Sequence, residues 1–176
     1  MRVTTDVALD LFDHMEWADA LLWDAALTSA AARGDEKLRR LILHFHGVQR
    51  AFLDAWTDQP FAFRNTYDDT SIANELESVR AYYPRGRAFI EGLTTEQLTA
   101  GLVLPWSKWA GKYIGGPIGP TTLGETILQV LMHSMHHRAQ ANLRLRELNV
   151  APPLVDYIAW LWHARPKAAW PVVAGA

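Results

Sequence analysis

Residues 122–148, TLGETILQVLMHSMHHRAQANLRLREL, carry the longest helical pattern in this chain. The first four letters have the capping-box form, in which the side chains of Thr122 and Glu125 each accept a hydrogen bond from the other residue's backbone N–H. Small and apolar residues then recur every three or four positions, the spacing of one helix face. They are Ile127, Val130, Ser134, Ala141, Leu145 and Leu148. The stretch therefore predicts a long α-helix with one buried face.

Two earlier stretches have the same period. The first predicted helix spans residues 7–27, with Thr5 as its N-cap. The second begins near Asp35 and must end before Pro60, because a residue that precedes proline disfavours helical backbone angles. The chain between the two is short, so we expect these helices to be neighbours.

A third long helix and an irregular segment follow. Ser71 can cap this helix, in which Pro84 predicts a kink or a break, since proline lacks the N–H that the helix needs. Residues 101–120 are rich in glycine, proline and aromatic residues. Within them, 102–104 and 112–114 are candidate strands of a small hairpin.

The complete pattern predicts an all-α protein. Pro152 and Pro153 can start a last short helix over residues 154–163. Four long helices with mostly short connections indicate a four-helix bundle with a short extra C-terminal helix. The length of 176 residues fits one domain, residues 1–176.

The composition excludes several classes of function. Seventeen basic and nineteen acidic residues give a formal charge of −2, which provides no basic footprint for nucleic acid or an anionic membrane. No apolar run approaches the roughly 18 residues that span a bilayer, and the first residues lack the apolar core of a signal peptide. The chain has no cysteine, which excludes disulfides and thiolate ligands. We therefore expect a soluble, cytoplasmic protein.

Two of the seven histidines interrupt the buried face of the last long helix. An α-helix turns about 100° per residue, so His133 and His137 lie about 40° apart and one turn from each other. A neutral imidazole offers one nitrogen lone pair to a metal ion, and a pair at this spacing can direct two of them at one ion. The alternative for the pair alone is core or surface histidines with ordinary hydrogen bonds.

The second helix supplies a third candidate ligand. His44 shares the predicted buried face of that helix with Phe45, whereas His46 is rotated by about 200° from His44 and is expected to face solvent. Three inward histidines from two helices leave one tetrahedral position for water or substrate. His14, on the first helix, is the rival ligand, but we expect it to be half-buried with a backbone partner.

The remaining histidines and the absent motifs narrow the kind of site. His136 and His163 fall away from these faces and are expected to be solvated. No Glu-x-x-His sequence occurs, which argues against a di-iron bundle, and the last long helix lacks the glutamate of HExxH metalloproteases. A mononuclear site for one divalent metal ion remains, with zinc or nickel expected before iron or copper.

The segment His133-Ser134-Met135-His136-His137-Arg138-Ala139-Gln140 resembles the HxxxHRGQ segment of the DinB/YfiT-like family of metal-binding four-helix bundles, with Ala139 in place of the usual glycine. Further matching segments lie at residues 17–19, 41–44 and 152–162, so the resemblance covers most of the chain. It implies that His44, His133 and His137 are the metal ligands, the same three that the helix faces indicate.

The resemblance also implies a class of function. Family members with assigned activities are metal-dependent enzymes acting on small molecules: S-transferases that use a low-molecular-weight thiol, isomerases and hydrolases. Many members have no known activity, so the alternative is a non-catalytic metal-binding bundle with a structural, stress-response or sensing role. An open coordination position favours chemistry, whereas a fourth protein ligand favours the binding role. A homodimer is expected, because dimers are common among the proteins that this chain resembles.

Three residues outside the ligand set are candidates for substrate binding. Trp106 and Trp109, in the irregular segment, can form an aromatic wall over the metal opening; packing against the bundle or a partner subunit is the alternative. Arg138 can meet an anionic group of the substrate, and an interhelical salt bridge explains it equally well. Arg138 and Gln140 are also candidates for orienting a neighbouring side chain.

Overall fold

The computed structural model describes residues 3–60 and 72–172, and within these ranges it contains eight helices and no strand. The all-α prediction is confirmed. In chain order the helices are α1 (Thr5–Thr28), α2 (Ala30–Arg33), α3 (Glu36–Trp56), α4 (Ile72–Glu91), α5 (Thr95–Thr99), α6 (Ser107–Ile114), α7 (Leu123–Glu147) and α8 (Tyr157–Trp162).

The four long helices surround one hydrophobic core. Helix α7 packs against α1 and α3, and α4 packs against the same two helices, an arrangement compatible with the predicted four-helix bundle. All four helices contribute large side chains that are almost completely buried: Phe12, Leu22, Trp23, Phe45, Leu53, Tyr83, Ile90, Ile127 and Leu145. Removing this apolar surface from water is the main force that holds the helices together.

Local sequence signals set most helix starts. Helix α7 begins at the predicted capping box, in which the Thr122 side chain accepts from the backbone N–H of Glu125 and the Glu125 carboxylate accepts from that of Thr122. Helix α3 begins after Asp35, whose carboxylate accepts from the backbone N–H of Leu38 at 2.7 Å. Both predicted starts are confirmed, because caps depend only on neighbouring residues.

The predicted cap of α1 is wrong by one residue. Thr4 caps the helix by accepting from the backbone N–H of Val7, while the hydroxyl of Thr5 donates to the carbonyl of Leu93 at 3.2 Å. From sequence alone, either threonine can accept the capping hydrogen bond. The hydroxyl of Thr5 bonds to Leu93 instead, so Thr4 is the cap. The predicted cap at Ser71 lies outside the described residues.

The predicted hairpin within residues 101–120 is wrong. Residues 107–114 form α6, and the described part of the chain contains a single isolated β-bridge, between Gly101 and Thr122. A hairpin of three-residue strands is marginal in water. The segment instead packs the half-buried Trp106 against the core and ends α6 at Gly115, which adopts a left-handed conformation with φ of 75°.

Pro84 does not break α4, which continues through it to Glu91. The missing hydrogen bond costs about 3 kcal/mol in a helix interior. Burial of Val79, Tyr83 and Ile90 on the same helix outweighs that cost.

The last short helix is confirmed, although it is shorter than predicted. Helix α8 docks on α1 through Trp160, which is buried against Trp17 and Ala18, whereas the neighbouring Trp162 is exposed. No helix in the described ranges combines the length and apolarity needed to cross a membrane.

Candidate metal centre

Three histidine side chains meet where α3 packs against α7. His44 on α3 and His133 and His137 on α7 each offer one ring nitrogen, and these atoms lie within 4.8 Å of one another. The Nε2 atoms of His133 and His137 are 3.1 Å apart. The ring centroid of His44 is 4.5 Å from that of His137 and 5.2 Å from that of His133. The one-turn spacing on α7 and the packing of the two helices therefore produce one cluster.

The cluster lies at the edge of the bundle, because all three histidines are half-buried. The prediction that His46 faces solvent is wrong, because its side chain is 1% exposed. His44 is half-buried and meets the two histidines of α7. The buried face of α3 includes His46 and Gln49 beside its apolar residues. Phe45 lies on this face as predicted, but the face is centred further round α3, towards His46 and Gln49, because a pattern of apolar residues leaves out buried polar ones.

Burial keeps the three rings in the neutral form that binds metal. Desolvation lowers the pKa of His44 and His137 below the usual histidine range. For His133, desolvation together with repulsion from His137 and His44 lowers the pKa to about 4. A neutral imidazole has a free lone pair, whereas a protonated one has none.

Gln140 orients one of the three rings. Its Oε1 atom, an acceptor, lies 2.7 Å from Nδ1 of His137. Nδ1 of His137 therefore carries the proton, and Nε2 presents its lone pair towards His133. In this amide orientation, the Nε2 atom of Gln140 donates to Nε2 of His136 at 3.0 Å. This contact agrees with the role considered for Gln140, the orientation of a neighbouring side chain.

The cluster fits a divalent metal ion. The lone pair on Nε2 of His137 faces Nε2 of His133, 3.1 Å away. A cation between the rings would use both Nε2 lone pairs. Three neutral imidazoles are a donor set that zinc, nickel, copper and iron accept. Within residues 3–60 and 72–172, no other histidine or carboxylate joins the group.

Three further histidines, His14, His136 and His163, lie outside the cluster and outside the α3 face that includes His46. His14 is 8% exposed, so it is buried rather than half-buried as predicted. Its Nε2 atom lies 2.9 Å from the carbonyl oxygen of Val155, which confirms the predicted backbone partner. Burial lowers the pKa of His14 more than this hydrogen bond raises it. His136 and His163 are exposed.

The three predicted substrate-binding residues occupy different surroundings. Trp106 packs against Phe52, with ring centroids 4.9 Å apart, and Trp109 is 58% exposed on α6. Arg138 is 2% exposed and forms an ion pair with Asp19 on α1, which is the interhelical salt bridge considered as its alternative role. Contact of these residues with a substrate stays a prediction.

A buried polar network, which the sequence did not reveal, lies behind the cluster. Trp23 donates to Nε2 of His46 at 2.9 Å, so the His46 proton is on Nδ1 and is donated to Oε1 of Gln49 at 2.8 Å. The Gln49 amide in turn donates to Asp19 at 2.9 Å and to Ser134 at 3.0 Å. These bonds connect α1, α3 and α7.

The network holds the part of α7 that carries two of the clustered histidines. Ser134 and Arg138 directly follow His133 and His137 in the chain, and both are buried. Asp19 also accepts a hydrogen bond from Tyr83 on α4. The Asp19 carboxylate of α1 therefore contacts each of the other three long helices. The sequence signal that could have predicted this network is the presence of polar residues among apolar ones on facing helices.

The fold and the site define an all-α protein with a candidate metal centre made of three histidines on two helices. The family model of the DinB family matches residues 1–169 of the chain. The chain belongs to this family. No curated protein and no solved structure gives a significant match.

Proposed function

We propose that this protein is a metal-dependent enzyme for a small molecule, with His44, His133 and His137 as ligands of one divalent ion. The convergence of three ring nitrogens from two helices carries the proposal. Within the described residues, no fourth side chain of ligand type completes the group. Catalytic centres keep one position for water or substrate, whereas structural zinc centres use four protein ligands.

A cleft beside the cluster supports a catalytic role. It has a volume of about 420 Å³ and is lined by His44, Glu36, Lys37, Arg40 and Leu41. All five residues lie on the first turns of α3, so the cleft is open to solvent and leads to His44. The Lys37 side chain is 64% exposed, and its ammonium group lies 3.6 Å from the Glu147 carboxylate, so an anionic group of a substrate that approaches Lys37 meets an existing ion pair.

The chemistry of the cleft favours thiol transfer over hydrolysis. A divalent ion at the cluster would lower the pKa of a thiol or a water molecule in its open position. The carboxylate of Glu36, which lines the cleft, is paired with Arg40. Thiol transfer needs only an ionised nucleophile, whereas hydrolysis also needs a proton donor for the leaving group. The residues of the cleft suit the first reaction better. We therefore propose that the sulfur of a low-molecular-weight thiol, its proton lost to solvent, bonds to an electrophilic carbon and displaces a leaving group such as a halide ion, with hydrolysis as the second candidate.

Metal analysis tests the ligand assignment. The expected result is one divalent ion per chain in the purified protein, and loss of that ion in His44→Ala. The matched control is His163→Ala, which removes an exposed histidine and should retain the metal. Full retention of metal in His44→Ala would contradict the assignment.

Activity assays test the reaction. The metal-loaded protein is incubated with a low-molecular-weight thiol and a fluorogenic alkyl halide, and separately with an activated ester. We expect thiol transfer by the unmodified protein and by His163→Ala, and no transfer by folded His44→Ala. Stoichiometric metal binding without turnover of either substrate would support the non-catalytic role instead.

A further inference from the structure

The outward side of α6 combines cations with aromatic rings. It carries Lys108, Lys112, Trp109 and Tyr113, all of which are exposed. The two lysines are four positions apart and so are the two aromatic residues, so the members of each pair lie one helical turn from each other. A row of cations therefore runs beside a row of aromatic rings. We call these four residues the α6 face.

The apolar side chains of this region protrude into solvent. Trp109 is 58% exposed, Tyr113 92% and Ile114 71%. The chain after α6 folds back and adds Ile118, which is 39% exposed and whose Cγ1 would lie 3.7 Å from a Cβ on Gly111. Exposed apolar groups that cluster in this way mark a contact surface. A side chain that is nine-tenths exposed stands clear of its neighbours, so this surface is convex.

The charges around the α6 face have one sign. From Gln97 to Gly124 the chain contains no aspartate or glutamate, and its two charged residues are Lys108 and Lys112. Within residues 3–60 and 72–172, neither lysine forms an ion pair or a side-chain hydrogen bond. The complete chain has a formal charge of −2, so α6 is a local cationic region on an acidic protein.

Two kinds of macromolecule fit this face poorly. A second copy of the chain, related by a two-fold axis, would bring four lysines together without a carboxylate from the same segment. Proteins that bind single nucleic acid strands hold the strand in a charged groove, whereas the α6 face is convex. The aliphatic side chains of Ile114 and Ile118 beside it also favour an apolar partner.

We propose that α6 docks this protein on the surface of an anionic lipid bilayer. Trp109 and Tyr113 enter the layer between the head groups and the acyl chains, where tryptophan and tyrosine are enriched in membrane proteins. Lys108 and Lys112 attract the anionic head groups. A helix with these two features lies in the plane of the interface and does not cross the bilayer. Two residues of each kind give reversible docking.

Co-sedimentation of the full chain with vesicles tests the proposal. Vesicles of phosphatidylcholine and phosphatidylserine in equal parts are compared with vesicles of phosphatidylcholine alone. Each lysine near an anionic surface adds about fivefold in affinity, so we expect about 20-fold tighter binding to the mixed vesicles. Added salt should release the protein, because it screens this attraction. No binding to the mixed vesicles, or equal binding to both kinds, would overturn the proposal.

A double variant tests the cationic half of the α6 face. Lys108→Gln combined with Lys112→Gln should weaken binding to the mixed vesicles about 20-fold. The matched control, Arg33→Gln combined with Lys167→Gln, removes two cations from exposed positions elsewhere and should bind as the unmodified protein does. Equal losses in the two double variants would show that net charge alone governs binding, against the proposal.

A single substitution tests the aromatic half. Trp109→Ala should weaken binding to the mixed vesicles about tenfold, because less apolar surface enters the bilayer. Trp162→Ala, which removes an exposed tryptophan of α8, should have no effect. Both variants should keep the circular dichroism of the unmodified protein, since neither side chain is buried. Unchanged binding by Trp109→Ala would overturn the assignment to this face.

Two further measurements detect the other occupants. Sedimentation velocity without lipid measures self-association, and polyuridylate is added to the mixed vesicles at physiological ionic strength. We expect Trp109→Ala to leave the oligomeric state unchanged, and polyuridylate to leave the protein on the vesicles. A dimer that dissociates in Trp109→Ala, or release of the protein by polyuridylate, would overturn the proposal.

Discussion

A side chain outside the histidine cluster sets the orientation of one ring within it. Gln140→Ala removes the acceptor for Nδ1 of His137, so the ring can rotate and its Nε2 lone pair is no longer directed at the ion. Loss of such a partner weakens metal affinity about 10–100-fold. We expect a decrease in this range, measured by competition with a chromogenic chelator.

The control for this prediction is Gln129→Ala, which removes an exposed glutamine from the same helix. Its metal affinity should equal that of the unmodified protein. If Gln140→Ala also binds with unchanged affinity, the ring of His137 is held by packing alone.

Asp19 is the buried carboxylate at the centre of the polar network. Asp19→Asn keeps the shape of the side chain but leaves the charge of Arg138 buried without a counter-charge. Removing one partner of a buried ion pair costs about 3–5 kcal/mol. We expect a loss of this size in the free energy of unfolding, measured by urea denaturation.

Asp24→Asn is the matched substitution for Asp19→Asn, since Asp24 is exposed on the same helix. Its effect should stay within about 0.5 kcal/mol. Equal unfolding midpoints for the two variants would show that Arg138 finds another partner when Asp19 is neutral.

At the scale of the elements, one residue both starts α3 and connects it to α7. The Asp35 carboxylate caps α3 and accepts from Arg144 at 3.0 and 2.6 Å. Asp35→Ala removes both interactions and should cost about 1–2 kcal/mol, mostly from the lost cap. Asp35→Asn retains a capping side chain and should cost less, because partly exposed ion pairs contribute up to about 1 kcal/mol. Urea denaturation at neutral pH measures both.

The contribution of the Asp35–Arg144 ion pair to the free energy of unfolding also depends on pH. Hydrogen bonds from Arg144 hold the pKa of Asp35 below its usual value, so the folded state binds this proton less readily than the unfolded state. The stabilisation is therefore complete above about pH 4, the ordinary aspartate pKa, and is lost as the pH falls through the lower folded value. We expect the difference in stability between the unmodified protein and Asp35→Asn to shrink at acidic pH. A constant difference would contradict the pairing.

For the whole molecule, metal binding through two helices should stabilise the folded state alone. A ligand at 100 times its Kd adds about 2.7 kcal/mol to the free energy of unfolding. We expect a chelator to lower the Tm in calorimetry and added zinc or nickel to restore it. His44→Ala should show neither shift. The metal-free protein should stay folded, because the core that joins the four long helices does not include the cluster. Complete unfolding on chelation would contradict this view.

Much of the fold followed from local sequence. The capping box at Thr122, the cap at Asp35 and the 3.6-residue period depend on residues within a turn or two of each other. The spacing of His133 and His137 is equally local, because both lie on one helix. The sequence also placed His44 with them, although the buried face of α3 is centred further round the helix than predicted and leaves His44 half-buried. A homodimer stays a prediction.

The sequence by itself determined the helical class, most helix starts and the three histidines of the candidate site. Only the tertiary structure decided that the cluster lies at the edge of the bundle and that His46, Gln49 and Asp19 are buried. The physical reason is that burial of a polar side chain is favourable only when partners on other helices satisfy it. No pattern within one helix contains those partners, which come together only when the helices pack.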